Sequence, residues 1–120
     1  MILYFHGLGS NCESSKFQIL TREFSKEYSI ECVLWNLNTD FSELLMNLQY
    51  KIAGQKDVVL IGSSTGCNYA YQLAEKLRIS NSNVKLILIN PLLNVNNRIA
   101  DFPFPSELLD SLIAIDEVNN

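Results

Sequence analysis

The chain has 120 residues, of which 48% are hydrophobic and 18% charged, and its formal net charge is −4. These values are typical of a single globular domain over residues 1–120 and exclude a disordered chain. The acidic balance and the scattered Lys and Arg residues argue against nucleic acid or an anionic membrane as a partner. No apolar stretch is long enough to span a bilayer.

The predicted elements alternate between short apolar runs, typical of buried strands, and amphipathic stretches with apolar residues every three or four positions. Capping residues mark two helix starts, at Ser14 or Ser15 and at Asp40, which Glu43 follows three places later. In chain order we predict strand 2–6, helix 14–28, strand 30–35, helix 40–54, strand 58–62, helix 65–77, strand 84–90, a loop over 92–105 that contains FPFP, and a last helix over 106–115.

This alternation predicts an α/β fold: a doubly wound parallel sheet of about four strands with helices on both faces. The strands lack polar alternation, as expected when both sheet faces are covered. The expected strand order is 2-1-3-4. An order of this kind also fits a flavodoxin-like domain, but the loop HGLGSN after the first strand lacks the Ser and Thr run that would cradle a flavin phosphate.

The three cysteines, Cys12, Cys32 and Cys67, are widely spaced, and no metal-ligand spacing is present. Met1 leads directly into an apolar run that is too short for an export signal, so we expect no signal peptide. We therefore expect free thiols, a cytoplasmic location and no metal site.

Residues 62–66, Gly-Ser-Ser-Thr-Gly, match the pattern G-x-S-x-G only with Ser64 at the centre. Gly62 and Gly66 fit a sharp turn from strand to helix, because side chains two places either side of the turning residue would collide. Such a turn exposes the Ser64 hydroxyl at the amino end of a helix, where negative charge is favoured. The alternatives are a simple helix cap and a phosphate-binding loop, although the lysine of such a loop is absent.

His6-Gly7-Leu8 follows the first strand, at the place where many serine hydrolases bring a backbone N–H toward the substrate carbonyl. The predicted oxyanion donors are the N–H groups of Leu8 and Thr65. The alternative is a plain turn at the end of the strand. For the His6 side chain we favour a structural role.

Three segments carry a family resemblance: YFHGLGSN at 4–11, LIGSSTGCNYA at 60–70 and LILINPLL at 86–93. Together they resemble small bacterial α/β-hydrolase-fold esterases of the YqiA kind, over residues 1 to about 95. The resemblance implies hydrolysis of small carboxylic esters or thioesters through an acyl-Ser64 intermediate, without a cofactor. Leu8 replaces an aromatic residue of the family and Cys67 a glycine, but the oxyanion donors are backbone groups, so neither change removes one.

The family places its catalytic Asp and His after the serine, whereas this chain has no histidine after Ser64. Asp101, Asp110 and Asp116 follow no recognisable further strand, so none is assigned the acid role. We therefore expect the amino-terminal half of an esterase fold, truncated before its acid and base.

Three hypotheses follow from the missing base. The chain is a shortened hydrolase with little activity alone, His6 serves as a substitute base, or a second copy or a complementing chain joins at the exposed edge of the fourth strand. The non-enzyme alternative is a catalytically dead hydrolase-fold domain that acts as a binding or interaction module.

Overall fold

A computed structural model describes residues 1–79 and 83–91 of the chain. Its elements are β1 Ile2–Phe5, α1 Ser15–Phe24, β2 Ile30–Val33, α2 Phe41–Ile52, β3 Asp57–Ser63, α3 Gly66–Ile79 and β4 Asn83–Ile89. The predicted loop over 92–105 and helix over 106–115 lie outside the described residues. Within the described ranges, no helix combines the length and the apolar character needed to cross a bilayer.

The four strands form one parallel sheet in the order β2-β1-β3-β4, which confirms the predicted fold class and strand order. In the register of the sheet, Phe5 lies opposite Gly62, and Ser63 lies opposite Ile89. The carboxyl ends of β1, β3 and β4 therefore meet at one edge. The loops that follow β1 and β3 emerge there side by side.

Successive residues of each strand point to opposite faces of the sheet. Helices cover both faces, as predicted. Leu3 and Phe5 pack into a cluster with α2 and α3, whereas Ile2 and Tyr4 pack toward α1. Among the described residues, the first cluster holds 15 buried hydrophobic residues and the second holds 3. The α2–α3 side therefore carries most of the core that supports the candidate site.

The helix starts follow the predicted caps, but α1 ends earlier than expected. The Asp40 carboxylate accepts the Glu43 N–H at 3.0 Å, and the Ser14 hydroxyl caps α1 in the same way. The predicted extension of α1 to Tyr28 is wrong: the helix ends at Phe24 with Ser25 as its cap, and the Phe24 carbonyl accepts the N–H groups of both Glu27 and Tyr28 in the closing turn. Phe24 and Tyr28 are both about half exposed there.

The expectation of three free thiols is wrong for two of them, since Cys12 and Cys32 form a disulfide. Cys12 lies in the loop after β1 and Cys32 in β2, and their Cα atoms are 5.6 Å apart. The parallel pairing of β1 with β2 brings the two cysteines together across 20 residues of sequence. Cys67 is free and buried.

Candidate active site

The chain turns sharply at Ser64, between the end of β3 and the start of α3. Ser64 has a φ of +54°, in the left-handed region that residues other than glycine rarely occupy. Its N–H donates to the Ile89 carbonyl at 3.0 Å, and its own carbonyl accepts the Cys67 N–H at 3.1 Å. Both hydrogen bonds hold a conformation that costs about 1–3 kcal/mol, and the side chain is only half-buried.

Gly62 and Gly66 are required by close backbone packing on both sides of this turn. A Cβ on Gly62 would lie 2.5 Å from the Cα of Cys67, and one on Gly66 would overlap the carbonyl oxygens of Phe5 and His6. Backbone atoms of a strand and a helix cannot move aside as a flexible side chain can. The two glycines therefore let α3 start directly against the ends of β1 and β3.

Gly7 brings the loop after β1 against the turn. A Cβ on Gly7 would lie 3.2 Å from the Cβ of Ser64 and 3.3 Å from the Ser63 carbonyl oxygen. This closeness follows from the register, because Phe5 pairs with Gly62 and each strand then continues into its own loop. The two motifs found in the sequence, His6-Gly7-Leu8 and Gly62 to Gly66, are therefore neighbours in space.

The Leu8 amide contacts the residue that follows Ser64. Its N–H donates to the buried Thr65 hydroxyl at 2.6 Å, a contact that the sequence did not predict. In the first turn of α3, the N–H groups of Cys67 and Asn68 donate to the Ser64 and Thr65 carbonyls, each at 3.1 Å. A substrate oxygen at this point would share the Leu8 N–H with Thr65 or displace the hydroxyl.

His6 is packed rather than solvated. Its ring is 2% exposed and stacks on Trp35, with ring centroids 5.2 Å apart and an angle of 8° between the planes. Nδ1 lies 2.8 Å from the Gly7 carbonyl, which can only accept, so this bond requires the proton on Nδ1. The indole N–H of Trp35 donates to the His6 carbonyl at 2.9 Å. These contacts are the ones that a structural histidine makes.

Cys67 lies one turn after Ser64 but is a poor candidate nucleophile. Burial raises the pKa of its thiol to about 11, and the thiol donates a hydrogen bond to the Ile89 carbonyl at 3.5 Å. The thiol is therefore protonated at neutral pH, and thiols react as thiolates. Among the described residues, no three His, Cys, Asp or Glu side chains cluster closely enough to hold a metal ion.

The sequence motif predicted the glycine-flanked turn, whereas the contacts that the turn makes with the loop after β1 depend on the sheet register. The Thr65 hydroxyl and the Trp35 ring were not singled out by sequence. The one available hint was that Trp35 ends the predicted second strand, at the same edge of the sheet as His6.

No curated protein matches the chain. A family described as an uncharacterised protein family, UPF0227, matches residues 1–102, which include the two motifs at the candidate site and the whole described sheet. The chain therefore belongs to the UPF0227 family, the YqiA-like family that its motifs resemble.

Proposed function

We propose that this chain is a serine hydrolase domain of the esterase type, acting on small carboxylic esters or thioesters. The observation that carries the proposal is the left-handed conformation of Ser64, held between two glycines that backbone packing requires. A serine strained in this way at a strand-to-helix turn is the arrangement that exposes a nucleophile in α/β hydrolases. Membership of a hydrolase-like family supports the same chemistry.

In the proposed reaction, the Ser64 oxygen bonds to the carbonyl carbon of the substrate and the carbonyl oxygen becomes an oxyanion. The N–H groups of Leu8 and Thr65 stabilise this oxyanion, and one such donor is worth about 3–4 kcal/mol of transition-state stabilisation. The bond to the alcohol or thiol then breaks, and the leaving group takes a proton. Water finally cleaves the acyl-Ser64 ester and releases the carboxylic acid.

The site offers no well-placed general base for the Ser64 hydroxyl among the described residues. His6 is the one histidine in the 120 residues, and its ring is stacked on Trp35. In this chain alone the hydroxyl proton of Ser64 therefore passes to solvent, and turnover is slow. In a protease whose catalytic histidine was removed, the loss in kcat was about a millionfold, with a remnant from oxyanion stabilisation.

Rescue by an external base tests the proposal. The Ser64-dependent hydrolysis of p-nitrophenyl butyrate is the rate for the chain minus the rate for Ser64→Ala. We expect added imidazole to raise it by about tenfold or more, part of the ~10²–10⁴-fold that a positioned base contributes. Ser63→Ala is the matched control and retains the rescue. His6→Phe should also keep the rescued rate within about threefold of the parent. If His6 were the catalytic base, its removal would lower the rate by about 10²-fold or more.

A binding module without turnover is the second candidate. Two observations favour it: the Leu8 N–H is already occupied by the Thr65 hydroxyl, and the His6 ring is engaged in packing. In that case the chain and its Ser64→Ala variant hydrolyse the ester at equal rates, with and without imidazole.

We also propose a cytoplasmic location, which is compatible with the lack of a membrane-spanning helix among residues 1–79 and 83–91. Cytosolic proteins rarely keep a structural disulfide, so the Cys12–Cys32 disulfide argues against this location. Location of a tagged full chain in fractionated cells tests this, and recovery outside the cytoplasm would contradict it.

A further inference from the structure

A pocket of about 630 Å³ lies beside the loop that carries Leu8. It is formed where the carboxyl ends of β1 and β2 meet, and its volume is in the range of roughly 300–1,000 Å³ found for small-molecule sites. The residues that give it its chemical character are Leu8, Ser10, Trp35, Asn36, Leu37 and Asn38.

Leu8 connects this pocket to Ser64. It lines the pocket, and its N–H reaches the Thr65 hydroxyl at 2.6 Å on the side of the turn. Gly7, the residue before it, lies against the Cβ of Ser64. Ser64 and Thr65 are not among the lining residues, so an arm of a substrate held at Ser64 would reach the pocket by passing over Leu8.

The loop that forms the far wall is held by its own hydrogen bonds. The N–H of Asn36 donates to the Thr39 hydroxyl at 2.8 Å, and the N–H of Asn38 donates to Oδ1 of Asn36 at 2.8 Å. The Trp35 indole is fixed from behind by the His6 carbonyl and by Tyr69, whose ring centroid is 4.7 Å away. The wall is thus formed before a ligand arrives, as in most small-molecule sites.

The lining is mixed in polarity. Among the described residues it carries no Asp, Glu, Lys or Arg, and its one histidine, His6, is 2% exposed and stacked on Trp35. Trp35, Leu8 and Leu37 offer apolar surface, and amides and a hydroxyl offer hydrogen bonds. A charged ligand would lose hydration here without gaining an ionic partner. We propose that this pocket binds an uncharged, partly apolar arm of the ester that Ser64 attacks, an assignment that rests on the proposed function.

The single tryptophan provides a direct readout of binding that needs no turnover. Trp35 gives the one indole N–H signal in a ¹⁵N NMR spectrum of the full chain. Titration with hexanamide, a neutral and unreactive analogue of an acyl arm, should shift this signal saturably. Hexanoate and hexylamine, matched in length but charged, should bind at least about tenfold more weakly.

Two matched variants locate the site. Leu37→Asp places a charge in the lining and should weaken the binding of hexanamide by about tenfold or more. Leu34→Asp makes the same change at a more exposed position of the same loop, outside the lining, and should change affinity less than about twofold. Asn38→Phe, which places an aromatic ring in the pocket from an exposed position without adding an indole, is a second blocking variant should Leu37→Asp fail to fold.

The titration is repeated in Ser64→Ala, where the affinity for hexanamide should be unchanged within about twofold. Saturable binding there, together with an absence of Ser64-dependent hydrolysis, would overturn the proposed function and leave the neutral pocket standing. A chain that hydrolyses ester through Ser64 but shows no saturable indole shift would overturn the pocket alone. An equal response to hexanoate, or equal damage by the two Asp variants, would also overturn it.

Discussion

Gly66 occupies a position at the candidate site where any side chain would meet backbone atoms. Its replacement by Ala would drive a Cβ into the Phe5 and His6 carbonyls, so β1 and α3 would have to separate. We expect Gly66→Ala to lower the free energy of unfolding by about 3 kcal/mol or more. Urea denaturation followed by circular dichroism measures this loss.

Gly9 is the matched control for Gly66. It has a φ of +78° but open space around its Cα, so Gly9→Ala brings backbone strain alone, worth about 1–2 kcal/mol. Equal losses for the two variants would contradict the packing described around Ser64.

Thr65 is the second residue with a specific consequence, because its hydroxyl is the acceptor for the Leu8 N–H. Thr65→Val keeps the shape of the side chain but leaves that donor without its partner. We expect a loss of about 1–2 kcal/mol in the free energy of unfolding, whereas Thr65→Ser should stay within about 0.5 kcal/mol of the parent. If Val were tolerated as well as Ser in urea denaturation, the contact would carry no stability.

At the scale of elements, the disulfide tethers the loop after β1 to β2. Closing a loop of about this length stabilises a fold by roughly 3 kcal/mol in the chain-entropy account. Cys12→Ser should therefore lower the free energy of unfolding by about 2–4 kcal/mol without reductant, and by almost nothing with it. Alkylation of the denatured, unreduced chain should label one thiol, that of Cys67. Labelling of three thiols would contradict the pairing.

Much of the order of strands and helices could be predicted from the sequence, because buried apolar residues recur at the period of the element that carries them. Phe41, Leu45, Leu48 and Ile52 recur at helical spacing and are all buried in α2. The same spacing misled at Phe24 and Tyr28, since residues four apart also face each other across a closing turn.

The candidate site divides in the same way between local and long-range features. A five-residue motif was enough to find the glycines around Ser64, although only Gly62 meets its own neighbours in sequence, at Cys67, and Gly66 meets the carbonyls of Phe5 and His6. The Leu8 contact with Thr65 and the pairing of Cys12 with Cys32 depend on which strands are neighbours and in what register. No local pattern encodes a register, so these contacts became visible only in the folded sheet.

At the scale of the whole molecule, β4 is the last strand of the described sheet, and β3 is its partner among the described residues. Ile87 and Leu88 of this strand are 48% and 40% exposed. Unpaired strand edges with exposed apolar residues favour association. We propose that a second copy of this chain pairs with β4.

Sedimentation velocity tests this association. Leu88→Lys places a charge on the edge strand and should weaken dimerisation by about tenfold or more. Tyr50→Lys makes a comparable change on α2, at a residue that is 77% exposed, and should leave dimerisation unaltered. A chain that stays monomeric at every concentration, or equal effects of the two variants, would contradict the proposal.

The central claim is that the strained turn presents the Ser64 hydroxyl, and not that of its neighbour Ser63, to an electrophile beside the Leu8 and Thr65 amides. The most direct measurement is the intact mass of the full chain after prolonged incubation with a fluorophosphonate. We expect one adduct per chain, absent in Ser64→Ala and retained in Ser63→Ala. No adduct at saturating probe, or an adduct that survives in Ser64→Ala, would contradict it.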